Sequence, residues 1–149
     1  MTSSSRIGLA TLRIGLFLFM MVWALEKFIR PEAYQSIFGS FYGFDAGQSL
    51  IFLIGAVQTA ILLLFVAGKF KTVTYGLVML MNVVTLLVSY RQILAPYEGS
   101  TNHLFAASIV VAAASIALFL SRSEDSVLVL GSGTDSDETG ELPPETTSA

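Results

Sequence analysis

The stretch SLIFLIGAVQTAILLLFVAG, residues 49–68, is dominated by apolar residues and contains no Asp, Glu, Lys or Arg. Three comparable runs lie at about 8–27, 73–94 and 104–120. Each run has roughly the 20 residues with which a helix crosses a hydrocarbon layer. In lipid every backbone N–H and C=O must be satisfied within the protein, and helices achieve this internally. The sequence therefore predicts an all-α, integral membrane four-helix bundle with short loops.

Charged residues are distributed unevenly along the 149-residue chain. They make up 13% of the sequence, against about 25% in an average soluble domain. The C-terminal part, 122–149, holds one basic and seven acidic residues, and so polar a segment does not fold alone. We therefore divide the chain into a polar lead at 1–7, a four-helix membrane domain at 8–121 and a disordered acidic tail at 122–149.

Composition also excludes several function classes. The absence of cysteine rules out disulfides, thiolate nucleophiles, Fe–S ligation and cysteine-based zinc sites. Basic residues do not cluster as they do on a nucleic-acid-binding face, so we expect the lipid bilayer and no nucleic acid as a partner. We see no His pair at ligand spacing, no Ser–His–Asp arrangement and no glycine-rich phosphate loop, and we predict neither catalytic residues nor a metal site.

The bias of Lys and Arg predicts the orientation of the chain. With four spans both termini lie on one side, and cytoplasmic loops carry the excess of basic residues. We therefore expect a multi-pass protein of the bacterial cytoplasmic (inner) membrane with both termini cytoplasmic. The terminal side would hold Arg6, Arg13, Lys69, Lys71 and Arg122, and the other side Lys27, Arg30 and Arg91.

Polar residues from three segments are expected at the end of the bundle where the first segment finishes. Glu26 and Arg30 are four residues apart and can pair along the helix. Basic residues near helix ends usually snorkel to the headgroups; alternatively, Glu26, Lys27 and His103 line a shallow cavity for a polar head such as a quinone ring or a small anion. The candidate ligand-binding residues at this end are Glu26, Lys27, Arg30, Tyr90, Arg91 and His103.

A second polar set lies near the bilayer midplane, on the second and third segments. One interpretation is an interhelical hydrogen bond between Gln58 and Asn82; the alternative is a polar path or the floor of a ligand cavity. The intramembrane candidates are Gln58, Asn82, Thr85 and Ser89, with Tyr75 on the same face.

Arg13 lies in the first segment, about 21 Å from Lys27 by helix rise. We expect its side chain to snorkel to the opposite interface.

The fourth segment is rich in small residues, which let helix backbones approach closely in lipid. Ala106, Ala113 and Ala117 share one face. This face is expected to pack inside the bundle or against another subunit.

The chain resembles the DoxX-like superfamily of four-helix membrane proteins over about residues 8–120. The resemblance rests on LRIGL at 12–16, EKF at 26–28, the aromatic-glycine motif FYGF at 41–44, and Gly55 with Gln58 in the second segment. Relatives often carry Glu in the second helix where this chain has Gln58. Some relatives are subunits of a thiosulfate–quinone oxidoreductase, and others are linked to membrane redox complexes that handle thiol or superoxide stress.

The resemblance implies an accessory or anchor subunit of a quinone-linked membrane redox system, without a complete active site of its own. A redox enzyme would be its partner, and quinone is the one cofactor candidate. The alternatives are a small homo-oligomeric carrier or permease working through the Gln58–Asn82 stripe, and a structural membrane assembly protein that packs through the fourth segment.

Overall fold

The structure is a computed structural model, and it describes residues 2–99 and 101–130. Within these ranges the chain is helical, with no strand. A π-helical turn, Phe38–Tyr42, follows α2, and a 3₁₀ turn, Asn102–Ala106, leads into α6. The helices are α1 (Ser3–Ile29), α2 (Pro31–Ile37), α3 (Gln48–Val66), α4 (Lys71–Val88), α5 (Tyr90–Leu94) and α6 (Ala107–Leu120).

Four helices are long and apolar enough to cross a membrane: α1, α3, α4, and α6 extended by its 3₁₀ turn. Mean hydropathy in these spans lies between 1.6 and 2.5. Many of their large apolar side chains point outward, including Val22 and Leu53, as expected where lipid replaces water. The predicted all-α membrane bundle is confirmed, and the chain is a multi-pass membrane protein.

The four spans form a closed ring in which α1 packs on α3, α3 on α4, α4 on α6, and α6 on α1. The short turn between α3 and α4 makes these two helices antiparallel neighbours, as is usual for short connections. One continuous core fills the ring, and its buried residues are Leu16, Met20, Ala24, Leu62, Phe65, Tyr75, Val78 and Leu118.

Gly55 allows α1 and α3 to approach closely beside Lys27. A Cβ atom at Gly55 would lie 3.0 Å from the ring of Phe28 and 3.1 Å from the Cβ of Lys27. A larger side chain would require these neighbours to shift by a few tenths of an ångström, so this glycine favours the close approach of the two helices where α1 nears its end.

Several predicted boundaries need correction. Helix α1 begins at Ser3, where the hydroxyl of Thr2 accepts a hydrogen bond from the Ser5 amide, so most of the expected polar lead is helical. This is a common N-cap arrangement. The third segment is interrupted at Ser89, and helix α5 follows the break.

The chain after α6 also departs from the prediction. The expected disordered tail began at Arg122, but residues up to Leu130 fold back onto the bundle, and the Leu130 amide donates to the Ala67 carbonyl at 2.9 Å. Buried polar partners hold this stretch, which ends in the brief apolar patch at 127–130. The rest of the predicted tail, 131–149, lies outside the described residues.

Candidate functional site

Lys27 is buried at the end of the bundle where α1 finishes, which we call the Lys27 end. Its side chain is 7% exposed. Its Nζ donates to the Trp23 carbonyl at 3.1 Å and lies 4.3 Å from the centre of the Tyr34 ring. The predicted snorkelling to the headgroups is therefore wrong for Lys27, because the ring of Tyr34 covers the ammonium and a backbone carbonyl accepts from it.

Glu26 and Arg30 form the predicted ion pair along α1. The hydroxyl of Tyr34 joins the same cluster, since it lies 3.0 Å from the Trp23 carbonyl and 3.3 Å from Oε2 of Glu26. Burial raises the pKa of Tyr34 well above its ordinary value, and the neighbouring Glu26 carboxylate raises it further. Tyr34 was not among the sequence candidates, although its hydroxyl contacts the Glu26 carboxylate and its ring lies over the Lys27 ammonium.

An ammonium group carries three N–H donors. In Lys27 one N–H group donates to the Trp23 carbonyl, and the Tyr34 ring lies against one side of the ammonium. The described contacts therefore leave at least one N–H group of Lys27 that could donate to an oxygen of a small ligand. The surrounding surface is apolar, since Trp23, Phe28 and Ile29 are 47%, 42% and 75% exposed. This combination suits a molecule with a polar head and an apolar body.

The other predicted members of the Lys27 end lie apart from this cluster. Arg91 Nε donates to the hydroxyl of Tyr90 at 2.9 Å, and both side chains are exposed. His103 is exposed on the 3₁₀ turn. That turn meets the π-helical turn through Phe41 and Phe105, whose ring centres are 6.0 Å apart. The described contacts of Glu26 and Lys27 involve none of Tyr90, Arg91 and His103.

Asn82 is buried near the middle of α4, but its partner is not the predicted one. Its Nδ2 donates to the Val78 carbonyl at 2.9 Å and to Sδ of Met20 at 3.3 Å, so both N–H groups are directed away from Gln58. Gln58 is only partly buried on α3. A carbonyl one turn back along the same helix is always within reach of Asn82, and it takes precedence over an amide on another helix.

The predicted polar stripe of α4 is only partly internal. Tyr75 and Ser89 are buried with Asn82, whereas Thr85 is exposed and its hydroxyl donates to the Met81 carbonyl. The stripe therefore does not form a continuous polar path through the described part of the bundle.

Arg13 lies at the opposite end, which we call the Arg13 end, and it is completely buried. Its Nη1 donates to Oδ2 of Asp125 at 2.8 Å and to the Tyr75 hydroxyl at 3.3 Å. Its Nη2 donates to the carbonyls of Val127 and Leu128 at 2.7 and 3.0 Å. The expectation that Arg13 snorkels to the interface is wrong, because the returning chain supplies its partners inside the protein.

Asp125 is the central acceptor of this second cluster and is also completely buried. The Tyr75 hydroxyl donates to Oδ2 of Asp125 at 2.7 Å, and Nζ of Lys71 donates to its main-chain carbonyl. The sequence prediction missed Asp125. An arginine within a lipid-spanning helix requires an anion, and Glu124 and Asp125 are the acidic residues that directly follow the fourth segment.

The alanine face of the fourth segment does not pack inside the bundle. Ala106, Ala113 and Ala117 are exposed, while Ala112, Ser115 and Leu118 form the buried side of α6. Inward packing of that face was therefore a wrong prediction, and packing against another subunit stays a prediction.

Within residues 2–99 and 101–130 no group of three or more His, Asp or Glu side chains is placed to hold a metal ion. Comparison of the chain with protein-family models, curated proteins and solved structures finds no match. The fold and the two buried polar clusters together define an all-α multi-pass membrane protein.

Proposed function

We propose that this chain is an accessory or anchor subunit of a membrane redox system, and that it holds the polar head of a quinone at the Lys27 end. In this proposal the chain is a DoxX-like protein of the bacterial cytoplasmic membrane, with both termini cytoplasmic. A separate redox enzyme is its partner.

The observation that carries the proposal is the buried ammonium of Lys27 with donor capacity left over. A buried cation that is incompletely hydrogen-bonded is costly, and a quinone carbonyl is an acceptor that would relieve this cost. Phe28, which follows Lys27 in α1 and is 42% exposed, offers aromatic surface to a quinone ring at this end of the bundle. The apolar tail of the quinone would lie along exposed residues of α1 in the lipid.

The accessory role is supported by how the charged side chains are used. Glu26 pairs with Arg30, and Arg13 pairs with Asp125. Both pairs hold the fold together, and this leaves the Lys27 ammonium as the charged group that the proposal assigns to quinone binding. The electron transfer would then belong to the partner, with this chain contributing a bound quinone and a membrane anchor.

The test uses the single tryptophan of the chain, Trp23, whose carbonyl accepts from Lys27. Purified protein in lipid nanodiscs is titrated with decylubiquinone, and Trp23 fluorescence is recorded. We expect saturable quenching, weakened about tenfold in Lys27→Met, because a lost charged hydrogen bond of about 1.5–3 kcal/mol corresponds to that factor or more. Lys69→Met is the matched control, since Lys69 is exposed in the turn after α3.

Equal quenching of wild type and Lys27→Met, or quenching that never saturates, would contradict quinone binding at Lys27. The partner is tested separately by affinity purification from native membranes in mild detergent. Recovery of neither a redox enzyme nor quinone would contradict the accessory role.

A further inference from the structure

We infer that the Arg13 end contains a carboxylate-binding pocket, and that residues Asp125–Leu130, here called the latch, occupy it as a detachable internal ligand. Free small carboxylates are the ligand class that the pocket would accept once the Asp125 side chain is absent. This inference concerns the opposite end of the bundle from Lys27 and does not rest on the proposed function.

The donors of the pocket belong to the bundle itself. Arg13 comes from α1 and Tyr75 from α4, and Nη1 of Arg13 donates to the Tyr75 hydroxyl at 3.3 Å without involving the latch. The Tyr75 ring packs edge-on against Phe65, with centroids 4.8 Å apart. Both donors are thus held in place by helix packing, and both are directed at one carboxylate oxygen, Oδ2 of Asp125.

The described contacts of the latch with the bundle are mainly hydrogen bonds and the Arg13–Asp125 ion pair. None of its residues belongs to the buried apolar core, and Leu128 and Leu130 are 72% and 67% exposed. Val129 packs closely against Gly68, where an added Cβ would lie 2.8 Å from Cγ1 of Val129. Because the latch contributes no residue to the buried core, our inference is that it can leave while the four spans stay packed.

The fit of Asp125 to the pocket is incomplete. Nε of Arg13 and Oδ1 of Asp125 are both buried without a hydrogen-bond partner. Arginine binds a carboxylate best through two parallel N–H···O bonds, and the tethered Asp125 makes only one with Nη1. A free carboxylate has no tether and can turn to use both of its oxygens.

An open cavity of about 570 Å³ lies beside the latch and is lined by Arg6, Ser123, Glu124 and Ser126. Arg13 and Asp125 do not line this cavity, and both are completely buried. A carboxylate from solution can therefore reach Arg13 only when the Asp125 side chain is absent or the latch has left.

The pocket is tested by chemical rescue in the full chain. Thermal unfolding of Asp125→Ala is followed by Trp23 fluorescence in sodium acetate and in sodium chloride at equal ionic strength. We expect a lowered Tm that acetate, but not chloride, raises saturably. Glu124→Ala, which removes an exposed neighbouring carboxylate, should show neither loss nor rescue, and Arg13→Met/Asp125→Ala should show no rescue. Equal effects of acetate and chloride on Asp125→Ala, or equal rescue of the double variant, would overturn the pocket.

The detachable latch is tested with the isosteric variant Asp125→Asn, which also serves if Asp125→Ala does not fold. Amide hydrogen exchange of 126–130 is compared with that of the four spans. We expect exchange in the latch to accelerate about tenfold or more, since the buried ion pair is lost, while the spans remain protected. Exchange that rises equally in the spans and the latch, or failure of Asp125→Asn to fold, would show that the latch and the bundle form one unit and would overturn the inference.

Discussion

Arg13 and Asp125 are 112 residues apart in sequence, yet Nη1 of the arginine lies 2.8 Å from Oδ2 of the aspartate, and both side chains are fully buried. This pair connects the first span to the segment that follows the last one. Each charge is accessible neither to lipid nor to water, so each depends on the other and on the Tyr75 hydroxyl between them.

Removing one member of this pair should destabilise the protein strongly. Arg13→Met leaves Asp125 without its partner, and breaking a buried pair in this way costs about 3–5 kcal/mol while the latch stays in place. We expect the free energy of unfolding to fall by at most this amount, because release of the latch exposes Asp125 to water. Arg13→Met/Asp125→Leu removes both charges and should recover most of that loss. Unfolding by SDS in mixed micelles provides the measurement. A double variant as unstable as the single one would show that packing, not the uncompensated charge, is responsible.

The sequence predicts a charged residue, Arg13, within an apolar run, but it does not predict which partner compensates that charge. Arg13 stands within an apolar run, and helix rise from Lys27 places it near the opposite interface. Snorkelling is a local solution and needs no distant partner, so it is the natural expectation. The observed solution depends on where the chain returns after α6, and no periodicity encodes that return. Asp125 precedes only a brief apolar patch, at 127–130, and the acidic residues beyond that patch led us to predict a disordered tail.

Hydrophobic run lengths predicted the four spans because lipid imposes the same requirement on each of them. The Glu26–Arg30 pair could also be predicted from the sequence, since it depends only on helical spacing. The burial of Lys27 could not be predicted, because it requires α2 to place Tyr34 over the ammonium and Gly55 to bring α3 close. Tertiary neighbours decide whether a basic residue near a helix end reaches the headgroups.

Two glycines in the spans should respond to alanine with opposite signs. Gly55→Ala places a Cβ 3.0 Å from the Phe28 ring and 3.1 Å from Lys27 Cβ, and overpacking of this kind costs about 1–3 kcal/mol. Gly15→Ala meets nothing within 4 Å and should stabilise by about 0.5–1 kcal/mol through helix propensity. Thermal unfolding in one detergent compares them directly. The same sign for both would argue against the close approach of α1 and α3.

The backbone of the latch contains one strained position. Leu128 has φ 54°, in the left-handed region that costs about 1–2 kcal/mol for residues with a side chain. This conformation places the carbonyls of Val127 and Leu128 toward Arg13. Leu128→Val should lower the Tm because a β-branched residue tolerates the region poorly, whereas Leu128→Gly should be nearly neutral. Leu130→Val is the matched control, and a loss there equal to that of Leu128→Val would point to side-chain effects instead.

Tyr34 should give the protein a distinct response to alkaline pH. Burial, aided by the Glu26 carboxylate, raises its pKa in the folded protein, so the neutral phenol is favoured by folding. Its stabilising contribution is therefore complete below about pH 10, the ordinary tyrosine pKa, and is lost as pH rises toward the raised value. Phenolate absorbance is recorded against pH for the wild type and for Tyr34→Phe, and the difference between the two curves reports Tyr34. We expect this difference to appear only well above about pH 10. A difference that appears near pH 10 would mean that water reaches the phenol and that the Tyr34 ring does not cover Lys27.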